Sequence, residues 1–153
     1  HVRLMQLYAC LYQIDKERTN TSKIVLCGDL NSSPSSGAAR LLWHRVVEPP
    51  DGETDQGTTW KHLCTFSWDR QLDNFDGASD DANAPTISLP EKFPSLISAY
   101  QSLPKYTHYI HNFAATLDYI MVSGNDWTPV SSAKVPPKAI LSKDIAMPSE
   151  VLP

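Results

Sequence analysis

Apolar residues recur at helical spacing near the start of the chain, where Leu4, Leu7, Tyr8, Leu11 and Ile14 predict an amphipathic helix over residues 3 to about 17. After the polar break Asn20 to Lys23 the pattern changes to the uninterrupted run Ile24-Val25-Leu26-Cys27. A run without polar alternation suits a strand covered on both faces. Gly28 would let the backbone turn sharply, and Leu30 would point away from the side shared by Asp29 and Asn31. Pro34 fits the first turn of a helix capped by Ser33, with residues 37–44 as its body. This order predicts that Asp29 and Asn31 sit in a strand-to-helix loop. A second apolar stretch, Phe113 to Val122, reads as a strand in which Asp118 is the lone charge. An ionised carboxylate inside such a run is costly unless a cation or a histidine answers it.

The remaining stretches read as connections. Glu48 to Asp55 is acidic and turn-forming, and residues 69–85 add Asp73, Asp76, Asp80 and Asp81 amid Gly, Ala and Asn. These carboxylates lack the EF-hand order of oxygen ligands closed by a Glu, so a solvated loop is the expectation. Residues 129–153 are Pro-rich, carry Lys134, Lys138 and Lys143, and suit a surface connection. His44, His62, His108 and His111 are read as surface or satisfied core residues, and Tyr106 and Tyr109 as core aromatics. The plain alternative for Asp29 and Asn31 is that both are ordinary turn formers, which bond their own backbone and tolerate left-handed conformations.

Taken together, Gly28-Asp29-Leu30-Asn31-Ser32-Ser33-Pro34 and Leu117-Asp118-Tyr119-Ile120 resemble the GDxNSxP and LDYI-like motifs of the endonuclease/exonuclease/phosphatase superfamily. Their pairing is similar to the branch of CCR4-type deadenylases, nocturnin and 2′-phosphodiesterase. Phe113, five residues before Asp118, and Tyr106-Thr107 match that branch, whereas His108 stands where it carries Asn. His1-Val2-Arg3-Leu4-Met5-Gln6 and Leu96-Ile97-Ser98-Ala99-Tyr100 extend the likeness, and residues 47–91 match least. The resemblance implies an α/β (α+β) fold, part of a four-layer α-β-β-α sandwich of the DNase I-like type. It also implies phosphodiester hydrolysis by in-line attack of water, with Mg²⁺ or Mn²⁺ as cofactor. Asp29 and Asn31 are the implied metal ligands. Asp29 would orient or deprotonate the water, Asn31 would donate to the phosphate, and Asp118 would hold a catalytic His in its tautomer. Thr107 and Phe113 are the implied substrate-binding residues, Phe113 by stacking on a base.

The family's N-terminal metal-ligating Glu and C-terminal Ser-Asp-His cannot be placed in the sequence, so residues 1–153 are expected to be one incomplete catalytic domain, inactive by itself. The 41% hydrophobic content suffices for a core. A formal charge of −4 argues against a broad electrostatic wrap around nucleic acid, and substrate contact should be local. Cys10, Cys27 and Cys64 form no CxxC pair, which suits a reducing, intracellular compartment, cytoplasmic or mitochondrial. No run is long enough for a membrane span. The implied partner is an RNA 3′ end or another adenylate-containing substrate, acted on as a 3′-exoribonuclease or 2′,5′-phosphodiesterase. The competing expectation is a non-catalytic structural or adaptor subunit of a larger protein or ribonucleoprotein assembly.

Overall fold

A computed structural model describes residues 2–48, 86–110 and 113–141. His62, His111, Cys64, Lys143, the acidic stretch 69–85 and the end at 147–153 lie outside the described residues, as does 48–55 apart from Glu48. The fold mixes helices and sheets, and it divides into two units, His1–Glu17 with Ser35–Phe93 and Arg18–Pro34 with Pro94–Pro153.

The first unit is built on the helix α1 (Val2–Glu17), whose Leu4, Leu7 and Leu11 are buried as the spacing predicts. Tyr8 and Tyr12 stack one turn apart along its more exposed flank, and the Lys16 ammonium lies 4.7 Å from the Tyr12 ring centre. α1 packs against α2 (Gly37–His44), which buries Ala38, Ala39, Leu41 and Leu42. α2 is capped by Ser36, whose hydroxyl accepts from the Ala39 N–H at 3.4 Å, and not by Ser33. Pro34 falls in the turn before the helix. Serines at 32, 33, 35 and 36 make the local cap signal degenerate, and the one three residues before a free N–H takes the role. At the other end Arg45 caps α2 in a left-handed conformation (φ 64°), and its guanidinium donates to the carbonyls of Pro90 (3.0 Å) and Glu91 (2.5 Å). The chain then forms a two-stranded ribbon of β2 (Val46–Val47) and β3 (Ile87–Ser88).

The second unit holds β1 (Val25–Asp29), β4 (Leu96–Ser98), β5 (His108–Ile110), β6 (Phe113–Ala115) and β7 (Asp118–Ser123). β1, β7 and β4 form an antiparallel sheet in that order, and β5 pairs with β6 in a separate ribbon. The stretch 113–122 is therefore two strands in two sheets, not one. The break has a local cause: the Thr107 hydroxyl accepts the N–H groups of both Leu117 and Asp118 at 3.0 Å, and the Thr116 hydroxyl donates to the Pro104 carbonyl. These side-chain bonds take the backbone out of the ladder between the two strands.

β1 departs from the expectation of a strand covered on both faces. It lies at a sheet edge, with Val25 54% exposed and Cys27 and Asp29 exposed. The central β7 is the covered one, burying Tyr119, Met121, Val122 and Ser123. Residues 129–137 have no regular structure, as expected of a connection, yet they lead into a short helix α3 (Lys138–Leu141) whose Leu141 is buried against Tyr106 and Tyr109 with Val135 alongside. Two apolar residues in a Pro- and Lys-rich stretch are enough to anchor it to the tyrosine pair. Among the described residues, no helix is long and apolar enough to cross a membrane.

Candidate active site

The sheet register brings together the two aspartates that the sequence places 89 positions apart: Asp29, the last residue of β1, is paired with Asp118, the first of β7. Directly opposed residues of an antiparallel pair share a face, with Cβ atoms about 4.5–5.5 Å apart. Like charges at such positions destabilise the sheet, so a cation between the carboxylates would relieve their repulsion. Asp118 is half-buried at a strand end, which lowers the cost that a mid-strand carboxylate would carry.

Asn31 joins the pair by a different route from the one expected. Gly28 lies within β1 opposite Tyr119, and the chain turns instead at Asn31, which adopts φ 48°. The Asn31 N–H donates to Asp29 Oδ1 at 2.7 Å. This side-chain-to-backbone turn is what the turn-former reading of Asp29 requires. What that reading does not require is the second carboxylate across the ladder. Strand alternation thus plays no part in placing Asn31 beside Asp29; a left-handed residue, tolerated by Asn, does.

Tyr119, to which the sequence pattern assigns no role, fixes this loop from below. It is almost fully buried on the opposite face of β7 from Asp118, and its hydroxyl donates to the Ser32 carbonyl at 2.7 Å and lies 3.3 Å from the Thr116 carbonyl. Burial, and then the Asp118 charge, push its pKa up to about 12. The same two causes raise that of Tyr100. The signal was present in Asp118-Tyr119, since period-two alternation puts adjacent residues on opposite faces of one strand.

Thr107 is within the site's framework, its hydroxyl bonded to the Asp118 N–H. Phe113 is 48% exposed, with its ring edge-on to His108 at 5.8 Å between centres, so it is not a core residue. Tyr106 and Tyr109, by contrast, are buried as expected. His44 is exposed at the end of α2.

Asp29, Asn31 and Asp118 offer carboxylate and amide oxygens, the donor type that Mg²⁺ and Mn²⁺ prefer. A carboxylate has about four lone-pair sites, so the bond from Asn31 leaves Asp29 able to accept water or a cation. Among the described residues there is no cluster of three or more His, Cys, Asp or Glu. A hard ion that keeps several waters and takes one or two carboxylates suits this set; zinc does not.

The chain matches known proteins along nearly its whole length. It is 28% identical over 151 residues to Carbon catabolite repressor protein 4 homolog 1 of Arabidopsis thaliana, covering 97% of this chain and 25% of the relative. It is 33% identical over 106 residues to CCR4-NOT transcription complex subunit 6-like of Danio rerio, covering 69% of this chain and 17% of the relative. The chain thus spans a quarter or less of the length of these relatives. The family model described as Endonuclease/Exonuclease/phosphatase family matches residues 1–149, and the chain belongs to that family.

Proposed function

We propose that the protein is a metal-dependent phosphodiesterase that hydrolyses adenylate-rich RNA from its 3′ end. The observation that carries this reading is the pairing of Asp29 with Asp118 across the β1–β7 ladder, next to the left-handed Asn31. Asp29 and Asn31 would hold a Mg²⁺ or Mn²⁺ ion, whose chemistry is to neutralise charge developing on the phosphate oxygens and lower the pKa of bound water. Asp29 accepts a proton from, or orients, the attacking water. The Asn31 amide donates to a phosphate oxygen without adding negative charge. Asp118 holds an imidazole in its productive tautomer, as carboxylates do in other hydrolytic sites. Thr107 keeps Asp118 in place through its backbone, and the half-exposed Phe113 offers a ring on which the terminal base stacks. The likeness to a subunit named for the CCR4-NOT transcription complex supports work within a larger assembly.

The test is Asp29→Ala and Asp29→Asn in the protein expressed from its full reading frame. Turnover of a 3′-oligoadenylate in Mg²⁺ should fall by about two orders of magnitude or more, while the urea-unfolding midpoint moves little because Asp29 is exposed. A rate within a few-fold of the parent, or unfolding of both variants, would leave Asp29 as a turn former. Running the parent against 3′-oligoadenylate, 2′,5′-linked adenylate and NADPH assigns the substrate class.

A further inference from the structure

The hydrogen bonds around Asp118 form a chain that reaches the loop of the other aspartate. The Thr107 hydroxyl accepts the N–H groups of Leu117 and Asp118, each at 3.0 Å. The Leu117 carbonyl in turn accepts the Leu30 N–H at 2.8 Å. The Leu117 carbonyl and the Asp118 N–H belong to one peptide group, which is planar and does not bend between its two ends. That one rigid unit is therefore held by Thr107 on one side and by Leu30, the residue between Asp29 and Asn31, on the other. Hydrogen bonds at both ends of a peptide also polarise and strengthen each other.

Thr107 itself has little freedom. It lies one residue before β5, at the open end of the β5–β6 ribbon, where its N–H donates to the Ala115 carbonyl at 3.0 Å. A β-branched side chain is stiff about χ1. A hydroxyl oxygen has two acceptor lone pairs, and here two backbone amides take them up.

We infer that Thr107 is a positioning residue for both carboxylates: it holds Asp118 directly, and it holds the Asp29–Asn31 turn through the Leu117–Asp118 peptide. The inference rests on the function proposed above. Its consequence is that loss of one hydroxyl loosens a metal ion carried by Asp29 and Asn31, which lie at the end of another strand and in the turn that follows. Thr116 supplies the contrast. It is buried in the same corner and its hydroxyl donates to the Pro104 carbonyl at 2.6 Å, but that bond lies outside the chain from Thr107 to Leu30.

The experiment compares Thr107→Val, Thr107→Ser and Thr116→Val in the protein expressed from its full reading frame. Three quantities are read: Mn²⁺ affinity by electron paramagnetic resonance, hydrogen exchange of peptides spanning Leu30 and Leu117–Asp118, and kcat and KM on a 3′-oligoadenylate. Valine keeps the shape of threonine and removes the hydroxyl; Thr107→Ala serves if the valine variant does not fold. Thr107→Val should weaken Mn²⁺ binding by about 10–100-fold, the usual loss when a group that orients metal ligands is removed. The Leu30, Leu117 and Asp118 amides should exchange about tenfold faster, and kcat should fall with KM unchanged. Thr107→Ser should restore all three. Thr116→Val should lower the melting temperature and leave Mn²⁺ affinity as it was. Equal loss of Mn²⁺ affinity in Thr107→Val and Thr116→Val, or unchanged exchange at Leu30 in Thr107→Val, would overturn the inference. So would a raised KM at constant kcat, which would assign the hydroxyl to the substrate. A protein that hydrolyses oligoadenylate while Thr107→Val behaves as Thr116→Val does rejects this positioning role alone. A protein that binds Mn²⁺ through Thr107-dependent geometry without turning over RNA rejects the catalytic reading alone, and one that binds no Mn²⁺ rejects both.

Discussion

β1 and β7 carry similar sequences, an apolar run with an Asp at one end, yet the structure treats them differently. β7 is the middle strand, bonded on both sides by β1 and β4, and buries four of its six residues; β1 is an edge strand with Val25 and Cys27 exposed. The one property they share is the placement of the aspartates, which meet in register at the same sheet end. Burial along a strand is set by what covers it and by its rank in the sheet, whereas register is set by pairing, and only register matters for bringing the carboxylates together.

The largest expected difference between the two strands is in packing. Met121 is fully buried, so Met121→Ala should cost about 2–5 kcal/mol, whereas Cys27→Ala on the exposed edge should stay within about 0.5 kcal/mol. Urea unfolding of both variants measures this; equal losses would show that β1 is covered as closely as β7.

A second contrast separates the exposed Phe113 from the buried Tyr109 on the neighbouring strand of the ribbon. Phe113→Ala should weaken binding of adenylate substrates by about 1–3 kcal/mol, seen in kcat/KM, and affect a phosphodiester without a base less. Its melting temperature should hold. Tyr109→Ala should lower the melting temperature and slow all substrates alike. Destabilisation by Phe113→Ala with no discrimination between substrates would reject stacking.

The smallest effect concerns the hydroxyl of Tyr119. Tyr119→Phe keeps the ring and removes the donor to the Ser32 carbonyl, so about 0.5–1.5 kcal/mol of stability should be lost. The pH dependence follows from the raised pKa. The folded state holds the Tyr119 proton up to about pH 12 while the unfolded chain releases it near 10.0. The folded state therefore binds more protons in that window, and the stability contributed is present below pH 10 and lost as pH rises through about 12. Tyr100 acts in the same direction. Alkaline unfolding followed by tyrosinate absorbance should show a weaker loss across this window in Tyr119→Phe.

Much of the site was legible because its signals are local. The helix over Leu4, Leu7 and Leu11 follows from spacing, and Asp29, Asn31 and Asp118 were marked as candidates by polar residues set against apolar runs. The cap at Ser36, the break at Thr116-Leu117 and the burial of Leu141 were not, since each depends on a partner distant in sequence or on a choice among equivalent serines. The sequence by itself determined which residues carry oxygen donors beside apolar runs, because side-chain type and nearest-neighbour pattern decide that. The tertiary structure alone decided that Asp29 and Asp118 stand opposite each other and that Tyr119 braces their loop, because register across a sheet joins distant segments in a way that no local propensity encodes.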